Sequence, residues 1–236
     1  MADDARGRPV GRRVFLGLLG LGAAGVVTGS SIQRWLERNV GPIIAKDPTG
    51  LLALLPIGRF RIYTVTGGIP ERSPDEYRLS VHGLVERRLE LRFDDLRAMT
   101  ATELTRDFQC VTGWRVESVS WKGVRLRDVL DRAGVRPGAR AVRFTSFDGA
   151  YSESLTLDQA RRDDVLVAYE LEHEPLSAEH GGPARLYIAP MYGYKSIKWL
   201  RSIELTRQVV PGYWEERGYD VDGWVGRSNG RDDETT

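Results

Sequence analysis

The sequence has one cysteine, Cys110, in 236 residues. That excludes an internal disulfide framework and a cysteine-rich zinc site. It leaves this thiol three roles: a buried small hydrophobe, a nucleophile or a metal ligand. Neither charge is in excess, with 34 Lys and Arg against 33 Asp and Glu, so no global basic field points to nucleic acid. Lysine is scarce beside arginine. The G-x-x-x-x-G-K-[ST] phosphate loop, the G-x-S-x-G nucleophile elbow and the H-E-x-x-H zinc motif are missing, so those chemistries have no support. A C-x-x-C-H haem attachment and an internal repeat are missing too. The three histidines are His82 and His173, on predicted turns, and His180. What remains is a chain long enough for one well-packed domain, or a domain with a tail.

Against these absences the N-terminus stands out. Arg12-Arg13-Val14-Phe15-Leu16 opens a stretch that carries no charge from Gly17 to Gln33. Paired arginines ahead of a glycine-rich, moderately apolar run resemble a twin-arginine export signal. The uncharged span is about as long as a membrane helix requires, while its glycines weaken it as a helix. Positions 1–33 are therefore expected to be a twin-arginine signal or a retained N-terminal membrane anchor. Either places the protein in the periplasm or on the outer face of the cytoplasmic membrane.

Positions 34–72 are predicted to be a connector wrapping onto the core, broken by Gly41-Pro42, Pro48 and Pro56. Within it, Gly58–Thr66 alternates like a strand, with Phe60, Ile62 and Val65 set against Arg59, Arg61 and Thr64. Further strands are expected over Tyr77–Val81, Leu89–Leu91, Thr102–Val111, Ala141–Ser146, Tyr151–Leu155, Asp164–Leu171, Arg185–Ala189 and Ile203–Thr206. Short helices are expected over Phe93–Met99, Leu126–Ala133 and Leu157–Arg161. In the second of these, Leu126, Val129, Leu130 and Ala133 follow the i, i+3, i+4, i+7 pattern. Glu172–Ala184 and Met191–Lys198 read as loops, and 213–236 as an aromatic and then disordered tail. Strands interrupted by short helices without βαβ alternation predict a β-rich α+β domain over 73–212.

Two loops gather polar chemistry. His180-Gly181-Gly182-Pro183-Ala184-Arg185 leads into a strand, and Gly193-Tyr194-Lys195-Ser196-Ile197-Lys198-Trp199 comes shortly after. Together they bring two lysines, an arginine, a histidine and flexible backbone amides to neighbouring strand ends, a set suited to a phosphate. Two solvated loops account for the same residues equally well.

Seven segments occur in a recognisable order: Phe108-Gln109-Cys110-Val111, Trp121-Lys122-Gly123-Val124, Phe144-Thr145-Ser146, Val165–Tyr169, Glu174-Pro175-Leu176, His180-Gly181-x-Pro183-x-Arg185, and Gly193 to Trp199. The ordered set resembles the molybdopterin-binding domain of the sulfite oxidase family. It is most like exported stand-alone bacterial members of the periplasmic methionine-sulfoxide reductase type. The resemblance implies that family's β-rich fold and a molybdenum–molybdopterin cofactor. It implies Cys110 as the molybdenum ligand; a soft thiolate suits the metal beside the pterin's dithiolene sulfurs. It implies cofactor contacts for Tyr63, Thr64, Thr145, His180, Arg185, Ser196, Ile197 and Lys198, with Arg185 and Lys198 as phosphate partners. Arg115 and Arg106, near Cys110, are placed to face an anionic substrate, and Arg115 is taken as a catalytic candidate, although exposed arginine is the commoner case.

The implied activity is oxygen-atom transfer on a small S- or N-oxide or a sulfite-like molecule. Electrons would be exchanged with a membrane haem protein or a soluble cytochrome. Positions 207–236 are too few for the dimerisation domain of animal and plant sulfite oxidases, so sulfite oxidation itself is not implied. The competing readings are a cysteine-nucleophile hydrolase or transferase using Cys110 with His180, and a non-catalytic binding module on the same fold.

Overall fold

Two five-stranded sheets organise the computed structural model, in which residues 60–235 are described. The predicted export signal, and the connector as far as position 59, lie outside the described residues. The chain divides into two compact units, and both sheets belong to the larger, Arg59–Val111 with Arg115–Thr236. Among the described residues no helix is long and apolar enough to cross a membrane.

The elements run in order as β1 (Arg78–Gly83), β2 (Leu89–Arg92), α1 (Phe93–Arg97), β3 (Ala101–Gln109), β4 (Arg115–Arg125), α2 (Leu126–Ala133), β5 (Ala141–Ser146) and β6 (Ser152–Thr156). Then come α3 (Leu157–Ala160), β7 (Val165–Leu171), β8 (Glu174–Pro175), β9 (Arg185–Ile188) and β10 (Leu200–Thr206), with single 3-10 turns at Gly193–Lys195 and Glu215–Arg217. The first sheet runs β2-β1-β10-β5-β6, with β1 and β10 parallel and the other pairs antiparallel. The second runs β3-β4-β7-β8, and β9 also pairs with β7. This is the expected β-rich α+β architecture.

One core cluster draws on both sheets. Leu79 and Val81 of β1, Val142 and Phe144 of β5, and Ile203 and Leu205 of β10 meet Val165 and Val167 of β7 and Leu186 and Ile188 of β9. Helix α2 adds Leu126, Val129, Leu130 and Ala133, the four positions its periodicity assigned to one face. Each large side chain here gains about 1.5–3 kcal/mol from leaving water.

Three differences from expectation have physical causes. Phe60 to Thr66 forms no strand, although it alternates. Phe60 instead packs its ring against Phe108, 5.2 Å between centroids, and Trp121, at 6.2 Å. Strand β4, Arg115–Arg125, was not among the expected strands. Its outer half is polar and half-exposed, and its hydrogen bonds come from pairing with β3. Strand β3 ends at Gln109, so Cys110 stands just beyond the strand.

Candidate functional site

Strand β9 has two faces because successive side chains point opposite ways. Leu186 and Ile188 enter the main core, and Arg185 and Tyr187 take the other side. There Tyr187 stacks on Trp121 of β4 with centroids 4.4 Å apart. The Arg185 guanidinium lies 5.2 Å from the Trp121 ring and 5.8 Å from Phe108 of β3. The aromatic wall continues through Phe60, whose ring meets His180 edge-on at 5.1 Å.

Arg185 is 4% exposed. Three of its five donors are committed: Nε to the Leu186 carbonyl at 3.3 Å, one Nη to the His180 carbonyl at 2.8 Å and the other to the Ser196 carbonyl at 2.7 Å. It therefore ties the 180 loop to the 196 loop. Burial pulls its guanidinium down to about 10, still protonated at neutral pH. Lys198 donates to the Tyr63 carbonyl at 2.8 Å and the Glu179 carbonyl at 3.2 Å, with its ammonium 4.3 Å from the Trp199 ring. Burial, and next the Arg185 charge, lower Lys198 to about 8. Among the described residues the hydrogen-bond partners of both cations are carbonyls only, and each keeps donors for a further anion.

His180 carries an orphan. Its Nδ1 shares a hydrogen bond with Ser177 Oγ at 2.9 Å, while Nε2 is buried without a partner among the described residues. Burial first, and then Arg185, push its pKa below the usual histidine value, which favours a neutral ring. Gly181 permits this packing: its φ is +98°, and a Cβ there would lie 2.7 Å from Lys198 Cβ. Gly193 does the same for the second loop, since a Cβ there would approach Phe108 Cζ to 2.5 Å. The peptide between Gly182 and Pro183 is cis.

Phe108 thus brings the end of β3, and Cys110 just after it, to the 193–198 loop. Gln109 Nε2 donates to the Cys110 carbonyl at 3.1 Å, and Arg115 Nε holds Gln109 Oε1 at 2.7 Å. Arg115 also reaches Asp107 at 3.2 Å and the Glu234 carbonyl. It is half-buried and engaged, not the free surface arginine its sequence position suggested. Among the described residues no cluster of three or more His, Cys, Asp and Glu could hold a metal. A metal at Cys110 would take most of its ligands from a bound cofactor.

Of the residues expected in the site, the structure joins Tyr63, His180, Arg185, Ser196 and Lys198 through these contacts. Ser196 Oγ accepts from the Ile188 amide at 3.0 Å, and the Ile197 carbonyl accepts from the Leu186 amide at 2.9 Å. Both fix the loop to β9. Thr64 is half-buried beside Tyr63. The Thr145 hydroxyl pairs with Ser202 Oγ at 2.5 Å within the first sheet. Sequence reasoning missed the aromatic wall of Phe60, Trp121 and Tyr187, and also the partners of Lys195. The signal for the wall was aromatics on the faces of β3, β4 and β9 that alternation turns away from the main core.

The oxidoreductase molybdopterin-binding domain family matches residues 66–214. The oxidoreductase YuiH of Bacillus subtilis is 39% identical over 160 residues, covering 67% of this chain and 80% of YuiH. Sulfite oxidase of Arabidopsis thaliana is 30% identical over 179 residues, 61% of this chain and 46% of the plant enzyme. The chain thus spans under half the length of that relative. The sulfane dehydrogenase SoxCD of Paracoccus pantotrophus superposes with a TM-score of 0.57 at 25% identity, over 70% of this chain and 51% of that one. The chain belongs to the sulfite oxidase family of molybdopterin-binding oxidoreductases, whose cofactor is molybdenum–molybdopterin.

Proposed function

We propose that the protein is an exported enzyme that transfers an oxygen atom to or from a small S- or N-oxide or a sulfite-like molecule. In this reading it is of the methionine-sulfoxide reductase type and exchanges electrons with a membrane haem protein or a soluble cytochrome. The observation that carries the reading is the pairing of Arg185 and Lys198. Among the described residues the buried Arg185 and the half-buried Lys198 hydrogen-bond to carbonyls alone, beside a buried His180 Nε2 without a partner. This donor set fits a phosphorylated pterin. The ammonium, the spare guanidinium donors and the backbone near Ser196 suit the phosphate, and the neutral imidazole suits a polar edge of the ring.

Bound there, the cofactor supplies two-electron oxygen-atom exchange at molybdenum. Cys110 would hold the metal as a thiolate. Gln109 fixes the Cys110 backbone, Arg115 fixes Gln109, and the positive charge of Arg115 favours an anionic substrate on that side. The paired arginines Arg12-Arg13 and the uncharged run after them support export, with the run kept as an anchor or removed. The hydrolase reading of Cys110 draws no support from the family.

The test is metal and pterin analysis of protein made in a molybdopterin-competent host. Stoichiometric molybdenum is expected, and Cys110→Ala should abolish activity and strip most of the metal. Absent molybdenum, or molybdenum indifferent to Cys110→Ala, overturns the proposal. A dye-linked screen of S-oxides, N-oxides and sulfite in both directions then names the substrate.

A further inference from the structure

Lys195 lies three positions before Lys198 and is 0% exposed. Its ammonium is within hydrogen-bond reach of Glu153 Oε1, Glu215 Oε1 at 2.8 Å, the Ser154 carbonyl at 2.9 Å and the Val221 carbonyl at 2.8 Å. The two carboxylates are as deeply buried as the lysine, at 1% and 2% side-chain exposure. Ionised together, one positive and two negative groups would leave a net −1 in a dry site, which costs several kcal/mol. Glu153 Oε2 and Glu215 Oε2 are buried and, among the described residues, have no donor. Both carboxyl groups bind the same ammonium through Oε1, which gathers them at one point, and Glu215 contributes to raising the Glu153 carboxyl. One proton between them satisfies both oxygens and brings the cluster to neutrality.

We propose that Lys195 and a proton-sharing Glu153–Glu215 pair form a clamp that fastens residues 212–221 to the loop bearing Ser196, Ile197 and Lys198, and that it loosens when the shared proton leaves. The clamp joins β6, which carries Glu153 and Ser154, to both 3-10 turns, which carry Lys195 and Glu215. Neighbouring contacts run along the same line: Tyr213 N donates to the Ser152 carbonyl at 3.0 Å, Tyr151 Oη to the Tyr194 carbonyl at 2.6 Å, and Tyr194 Oη to the Asp220 carbonyl at 2.6 Å. The other titratable groups facing the cluster are Tyr151, Tyr194 and, on the tail, Asp220; Arg185 acts on Tyr151 from the cofactor side. Burial pushes the Glu153 carboxyl well above the ordinary carboxylate range, Lys195 opposes this, and Glu215 adds to it. A carboxyl raised in the folded state stabilises fully below its unfolded pKa, and the contribution is lost as pH rises through the folded value.

Lys195 is thus a positioning residue. Its effect on cofactor retention rests on the proposed function, whereas the clamp does not. The test follows thermal unfolding of the full chain against pH, together with tryptic cleavage after Arg217 and molybdopterin retained on gel filtration. The wild type should lose unfolding temperature, and cleavage after the already exposed Arg217 should speed up as its segment loosens, as pH climbs above the carboxylate range. Glu153→Gln replaces the shared proton with a permanent amide donor and should flatten both profiles. If it fails to fold, Glu215→Gln puts the donor on the other partner and should do the same. Profiles that fall in parallel with the wild type overturn the clamp. A flattened stability profile with molybdopterin retention unchanged by pH in the wild type overturns only the link to the loop. Protein that never holds molybdopterin yet shows the clamp profile overturns the proposed function instead.

Discussion

Lys195 and Lys198 leave the same short loop and meet opposite fates. Lys195 is sealed in with two carboxyl groups and two carbonyls, and its charge is answered entirely from within the chain. Lys198 has two carbonyls and the face of Trp199, and it shares its surroundings with Arg185, a second cation that among the described residues has no carboxylate hydrogen-bond partner. A buried cation matched by acids holds structure together. A half-buried one that hydrogen-bonds only to carbonyls among the described residues stays poised for an anion from outside. The contrast separates the clamp from the candidate cofactor cradle, although only two residues, Ser196 and Ile197, lie between the lysines.

The comparison can be broken most severely at Lys195. Lys195→Met leaves two acids buried without their cation, and a loss of about 3–5 kcal/mol is expected. Urea unfolding measures it. Adding Glu153→Gln and Glu215→Leu to the same chain should recover much of the loss. Lys198→Met should act the other way round: a small change in urea midpoint, but about a tenfold loss in molybdopterin retention, read by pterin fluorescence after gel filtration. Equal stability losses at the two lysines would erase the distinction.

The smallest effect sharpens it through pH. Lys198 is lowered to about 8, so in the folded apo-protein it sheds its proton before the unfolded chain does. Between that value and the ordinary lysine range the unfolded state binds more protons, and this residue's contribution to stability rises with pH. Anion binding moves the opposite way. Above pH of about 8 the ammonium must first regain its proton, so affinity for inorganic phosphate should fall by up to about tenfold per pH unit. Phosphate titration by calorimetry in two buffers of different ionisation enthalpy would detect the proton uptake. A pH-independent affinity removes Lys198 from the anion site.

Much of the fold was legible residue by residue. Helix α2 lies on its predicted bounds because Leu126, Val129, Leu130 and Ala133 share one helical face and nothing interrupts them before Gly134. Strands β5 and β7 were visible as short apolar runs between turn signals. Strand β4 was not, because Arg115 to Ser120 is mostly polar and owes its conformation to pairing with another strand, β3. Phe60 misled for the converse reason: local alternation resembled a strand, but its ring is bound by Phe108, Trp121 and His180. The tail read as disordered beyond its aromatics has defined contacts as far as Glu234, among them Tyr192 Oη donating to Asp233 at 2.9 Å.

The sequence by itself determined the class of fold, the family and the two loops that carry its polar chemistry. Periodicity, turn residues and motif order are local properties, and they survive without coordinates. Only the tertiary structure decided which charges are spent. Glu153 looks like an ordinary strand residue, Glu215 like one more acid in a tail, and Lys195 like a twin of Lys198. Their pairing depends on long-range burial, which removes water as a competing partner and makes the identity of the nearest charge decisive.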